Sequence, residues 1–146
     1  MPALDLTLEQ LYEEFEQLPD WGDRCDYLID LGMELPTLDE SERVEANRVH
    51  GCQSNVWLVA DVADRDGTPV IEFRAESDSM FVNGLIAILL LIFDGRTPED
   101  VLQTDESEVF RRLELNRHLS GQRRNGLAGM VQRVRSIAAQ AERNAA

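Results

Sequence analysis

The chain contains no lysine: all 14 of its basic residues are arginines, set against 28 aspartates and glutamates, for a formal net charge of −14. Without a lysine amine, pyridoxal phosphate cannot be held here as its usual internal Schiff base, so pyridoxal chemistry tied to this protein belongs to another chain. The excess of acid argues against binding nucleic acid, whose partners concentrate cations, and against docking on an anionic membrane. Only two Cys and two His are present. They form neither a disulfide framework nor a spaced set of metal ligands, and reduced thiols in the cytoplasm are expected. Long apolar runs are missing too. The longest, Phe81–Phe93, is interrupted by Asn83 and Gly84 and is shorter than the roughly 17 to 25 residues of a membrane span. It reads as a buried core helix. The opening Met-Pro-Ala-Leu-Asp turns acidic at once, unlike a secretory signal.

What is there suits one domain over residues 1–146, with 43% hydrophobic and 29% charged residues. The charge is unevenly spread: residues 1–110 hold six arginines and 26 acids, whereas residues 111–146 hold eight and two. Such a split suits a solvated acidic face with an arginine-rich last helix, or a docking surface with two signs of charge.

Thr7 and Gln10 form a capping-box pattern ahead of a helix carrying Leu8, Leu11, Tyr12, Phe15 and Leu18 at helical spacing. Pro19-Asp20 restarts the chain into a second helix from Trp21 toward Leu31, closed by Gly32 and Pro36. Val44–Val49, Val56–Val62 and Val70–Arg74 read as strands, the last two joined by an Asp66-Gly67 turn. Helices return at Phe81–Phe93, after Thr97-Pro98, at Glu106–Leu115, and from Ser120 onward, where Leu127, Met130, Val131, Val134 and Ala138 form an apolar stripe. The expected fold class is α+β: a three-stranded antiparallel sheet covered by N- and C-terminal helices.

The two cysteines differ in setting. Cys25 shares a helical face with Trp21, Leu28 and Ile29, as a small buried hydrophobe does. Cys52 falls between two strands, after Gly51 and before Gln53-Ser54-Asn55, where a turn presents a side chain rather than packing it. An incidental turn Cys and a working thiol are both open at this point. A working thiol needs local donors or positive charge, and Arg48, His50, Arg123 and Arg124 are the candidates. A His50–Cys52 metal pair lacks further ligands, and a His50–Cys52 hydrolytic dyad needs the turn to bend i and i+2 neighbours together and has only loosely placed orienting acids.

Asn47-Arg48-Val49-His50-Gly51-Cys52-Gln53-Ser54-Asn55-Val56-Trp57 closely resembles the Gly-Cys-Gln-Ser…Val-Trp signature of the SufE family of sulfur acceptors. Four further segments resemble that family in order: Ala75–Ser79, Asn83–Ala87, Gly95–Asp100 and Leu119–Leu127. Two positions depart from it, Ser79 for a usual Ala and Gly121-Gln122 for Pro-Ser. The resemblance implies a fold similar to the IscU-type scaffold proteins and makes Cys52 the persulfide-carrying residue. His50, Gly51, Gln53 and Ser54 become its supporting loop, with Asp78 and Arg123 acting in partner docking or loop control. It implies a pyridoxal-phosphate cysteine desulfurase of the SufS type as partner, with the cofactor on that partner and none on this chain, which has no metal either. Downstream recipients would be SUF scaffold proteins, and the chain would be a monomer or weak homodimer. In this role it is a sulfur-transfer partner rather than a stand-alone enzyme. The alternative is a non-catalytic adaptor or scaffold of iron–sulfur assembly that activates the desulfurase without carrying sulfur.

Overall fold

The computed structural model describes residues 6–51 and 54–145. Helix α1 (Leu8–Glu16) starts at the expected capping box. The Thr7 hydroxyl accepts from the Gln10 amide, and the Gln10 side chain accepts from the Thr7 amide at 2.9 Å. Helix α2 (Trp21–Gly32) follows. Strands β1 (Val56–Arg65) and β2 (Thr68–Ser77) form an antiparallel hairpin in the register Val56↔Ser77 to Arg65↔Thr68. Its two turn residues, Asp66 and Gly67, both have positive φ (52° and 86°), which matches the right-handed twist of the strands. Helices α3 (Met80–Phe93), α4 (Pro98–Gln103), α5 (Glu106–Arg112), α6 (Leu115–His118) and α7 (Gly121–Ala145) complete the order.

Helix α3 is the centre of the fold. Eleven of its 14 residues are buried, so it is apolar on every side, as a helix enclosed by others must be. Leu58, Phe73 and Ala75 from the sheet meet Ile86, Leu89 and Phe93 of α3, with Met130 and Val134 of α7 closing the layer. Against the opposite side lies α2, at a distance only glycine permits. A Cβ on Gly84 would stand 2.5 Å from the Leu28 carbonyl oxygen, and one on Gly32 would stand 2.7 Å from the Asn83–Gly84 peptide. Gly84→Ala is therefore expected to destabilise the chain by about 1–3 kcal/mol or more, through overpacking against backbone that cannot yield. A lower urea midpoint with unchanged m-value checks this.

The expected third strand is corrected. Among the described residues the sheet has two strands, and 44–49 holds a 3₁₀ turn, Glu45–Asn47, plus a single bridge, Arg48↔Trp57. The Asn47 backbone amide, which a third strand would turn toward β1, donates instead to the Val44 carbonyl (3.0 Å) and the Arg48 amide to the Glu45 carbonyl (3.1 Å), while Arg133 of α7 donates to the outward carbonyls of Ala46 (2.8 Å) and Arg48 (3.5 Å). The Asn47 side-chain amide donates to the Glu42 carbonyl. On the other side of the hairpin the α3–α4 connection covers the edge of β2. Ile71 donates to Arg96 and accepts from Gly95, each at 2.8 Å, and the Phe73 amide donates to the Asp94 carboxylate. The expected helix Glu106–Leu115 is also split, at Glu114, whose left-handed φ of 60° ends α5 and starts α6. Among the described residues no helix is long and apolar enough to cross a membrane.

Candidate functional site

Both ends of the segment between the 3₁₀ turn and β1 are pinned. Upstream, the Val49 amide donates to the Val56 carbonyl at 2.9 Å and closes the loop's base. Downstream, Asn55 is clasped by Asp78: its backbone and side-chain amides donate to the two Asp78 carboxylate oxygens at 3.1 and 2.9 Å. The Asp78 amide returns a bond to the Asn55 carbonyl. Cys52 and Gln53, the expected sulfur carrier and one of its supports, lie outside the described residues. Gly51, just before them, holds φ at 92° and is exposed, with open space around it. Its requirement is conformational rather than steric, because this backbone region is costly for any residue bearing a Cβ.

Asp78 is itself held rigidly, between the end of β2 and the start of α3. Ser77 exchanges two bonds with the Asn83 side chain, and the Ser77 hydroxyl, nearly buried, accepts from the Ser79 amide. Ser79 then caps α3 through its hydroxyl and the Val82 amide. The clasp is thus the tip of a fixed platform. Asp78→Ala should free the downstream arm of the loop and let iodoacetamide label Cys52 several-fold faster, read by peptide mass, with little change in melting temperature.

Ser54, half-buried, lines a cleft of about 50 Å³ with Val82 and Leu85 of α3 and with Gln122, Arg123, Gly126, Leu127 and Met130 of α7. That is room for a side-chain tip or a few waters. Arg123 stands at the start of α7, where its backbone amide donates to the Ser120 hydroxyl. Its guanidinium lies over the Phe81 ring, 4.4 Å from the centroid, a cation–π contact that fixes a long side chain beside the cleft. The structure therefore brings together Ser54, Arg123 and, through Asn55, Asp78. His50 is drawn away: its Nε2 meets the Glu45 carboxylate at 2.9 Å with both side chains about 70% exposed.

Cys25 lies partly buried against the core, within the field of Arg123. Burial raises its thiol pKa, outweighing the lowering by the Arg123 charge, and Asp26 raises it further. This thiol stays protonated near neutrality and behaves as the small hydrophobe its helical face implies. Among the described residues no group of three His, Cys, Asp or Glu side chains converges to hold a metal ion.

Two contacts of the candidate site escape a reading of the sequence. Asn55 stands beside the expected loop residues, yet nothing local marks it as the partner of Asp78, and Phe81 reads as core although its ring carries Arg123.

Residues 9–138 match the family model described as SufE, Fe-S metabolism associated domain. An uncharacterized SufE-like protein of Rhizobium meliloti is 40% identical over 132 residues, covering 90% of this chain and 94% of the relative. A second, from Rhizobium etli, is also 40% identical over 132 residues, covering 90% and 89%. The solution structure of a hypothetical protein from Thermus thermophilus superposes with a TM-score of 0.70 at 24% identity, over 92% of this chain and 94% of that one. That likeness supports the α+β fold.

Proposed function

We propose, for a chain that belongs to the SufE family and so to Fe–S metabolism, that Cys52 accepts sulfane sulfur from a pyridoxal-phosphate cysteine desulfurase of the SufS type and delivers it toward cluster assembly in the cytoplasm. The Cys52 thiolate attacks the terminal sulfur of the partner's persulfide. A new S–S bond forms to Cys52 as the partner's own S–S bond breaks, and the partner cysteine leaves as thiolate. One persulfide is consumed and one is made, so no external oxidant or reductant is needed. The pyridoxal phosphate stays on the partner, in keeping with a chain that has no lysine.

The observation that carries this reading is the pair of anchors flanking the Gly-Cys-Gln-Ser sequence, the Val49–Val56 closure and the Asn55–Asp78 clasp, with Ser54 lining a cleft together with Arg123. A cation fixed in the cleft that Ser54 lines, two residues after Cys52 in sequence, is of the kind that favours a thiolate. His50, paired with Glu45, plays no base role in this scheme.

Alanine release from L-cysteine by such a desulfurase tests the reading. Saturable acceleration on adding this chain supports it, because a free acceptor relieves the desulfurase of its own persulfide. No acceleration at any ratio would contradict it.

A further inference from the structure

Helix α7 lies against both described arms of the acceptor loop along one of its faces. Gly126 and Met130 line the cleft against Ser54. Gly129, on the same side of the helix, lies against the upstream arm: a Cβ there would stand 3.2 Å from the His50 carbonyl oxygen and 3.9 Å from Val49. One turn further, Arg133 donates to the carbonyls of Ala46 and Arg48. Positions 126, 129, 130 and 133 fall on one helical stripe, about 10 Å long at 1.5 Å per residue. The two arms meet that stripe in the opposite order to the chain, Ser54 first and Ala46 last.

We infer that Arg133, with Gly129 beside it, is a positioning residue that sets where the upstream arm holds Cys52, and so sets its reactivity; this rests on the sulfur-acceptor reading above. Glycine at 129 lets the His50 peptide lie close on the helix. The Arg133 fork then binds the carbonyls of Ala46 and Arg48, which face away from β1, since it is the Val49 amide that reaches the Val56 carbonyl. Those two bonds tie the upstream arm to α7 just where its pairing with β1 stops at a single bridge, Arg48↔Trp57. Asp78 fixes the downstream arm from α3's platform, so the two arms have independent anchors on different elements.

The test uses the full-length chain with Arg133→Ala, Arg133→Lys and, as a control for lost charge, Arg143→Ala, an exposed arginine in the last turn of α7. Two rates are read: iodoacetamide labelling of Cys52, with Cys25 as the internal slow thiol, and sulfur transfer from a SufS-type desulfurase at increasing partner concentration. Arg133→Ala is expected to label Cys52 at least three-fold faster and to lower the maximal transfer rate several-fold without moving the half-saturating concentration. Arg133→Lys, which keeps one donor for the Ala46 carbonyl, should fall between Ala and wild type, and Arg143→Ala should match wild type. Unchanged labelling in Arg133→Ala would overturn the assignment. So would a raised half-saturating concentration at unchanged maximal rate, which would make Arg133 a docking residue. Should Arg133→Ala fail to fold, Gly129→Ala pushes the His50 peptide from the same face and is expected to change Cys52 labelling likewise, with no change overturning the proposal. If the wild-type chain takes up no sulfur, the acceptor reading falls, and labelling alone still decides whether α7 positions the loop.

Discussion

Cys52→Ser is expected to take desulfurase stimulation down to the level of the desulfurase alone, a loss of about 100-fold or more in sulfur transfer. The hydroxyl is almost the size of the thiol, so loop geometry and docking are kept, but its pKa lies far above that of a thiol and it does not attack a sulfane sulfur. The expected pattern is normal binding with no turnover gain. It separates the two readings of the chain, because an adaptor that acts by contact alone would keep its stimulation in Cys52→Ser. Cys25→Ser is the matched control. With its pKa raised by burial and by Asp26, Cys25 is no alternative acceptor at neutral pH, and its removal should leave transfer within about two-fold of wild type.

Arg123→Ala is expected to slow transfer by about ten-fold at pH 7. One pKa unit on the acceptor thiol changes its thiolate fraction by that factor, and a neighbouring guanidinium is the kind of charge that moves a thiol by a unit or more. Arg123 shares the cleft with Ser54, two residues beyond Cys52, and is held over Phe81 rather than free in solvent. Arg123→Lys keeps the charge and should recover part of the rate, whereas Phe81→Leu, which removes the ring but keeps the bulk, should loosen Arg123 and give an intermediate loss. Raising the pH toward 9 should restore much of the Arg123→Ala rate, because there the thiol ionises without help. A deficit that persists unchanged at pH 9 would assign Arg123 to docking instead.

Much of the architecture could be read locally. The capping box at Thr7 and Gln10, the Asp66-Gly67 hairpin and the Thr97-Pro98 helix start all rest on contacts within four residues, and each is present. The misreadings share a physical cause. Val44–Val49 has strand-forming residues, but its Asn47 and Arg48 amides close a 3₁₀ turn, and Arg133, 85 and 87 positions away, holds the carbonyls on its outer side. Glu114 sits in a good helical pattern, yet its carboxylate is within 3.5 to 3.8 Å of Arg24, Arg117 and His118, and a left-handed turn at that residue accompanies the gathering. The site divides in the same way. The Gly-Cys-Gln-Ser loop, Asp78 and Arg123 can be named from the motif, whereas the pairing of Asn55 with Asp78 across 23 residues and of Phe81 with Arg123 has no local signal. His50 is named as one of the loop's supports by its place in the motif, and its pairing with Glu45 in solvent has no signal in the motif.

Intact mass of the chain after incubation with a SufS-type desulfurase and L-cysteine, without reductant, tests the central claim most directly. The expected result is a gain of about 32 Da for one sulfur atom, reversed by dithiothreitol, mapped by peptide analysis to Cys52 and missing in Cys52→Ser. A chain that accelerates the desulfurase yet gains no mass, or gains it on Cys25, would contradict Cys52 as the carrier of sulfur.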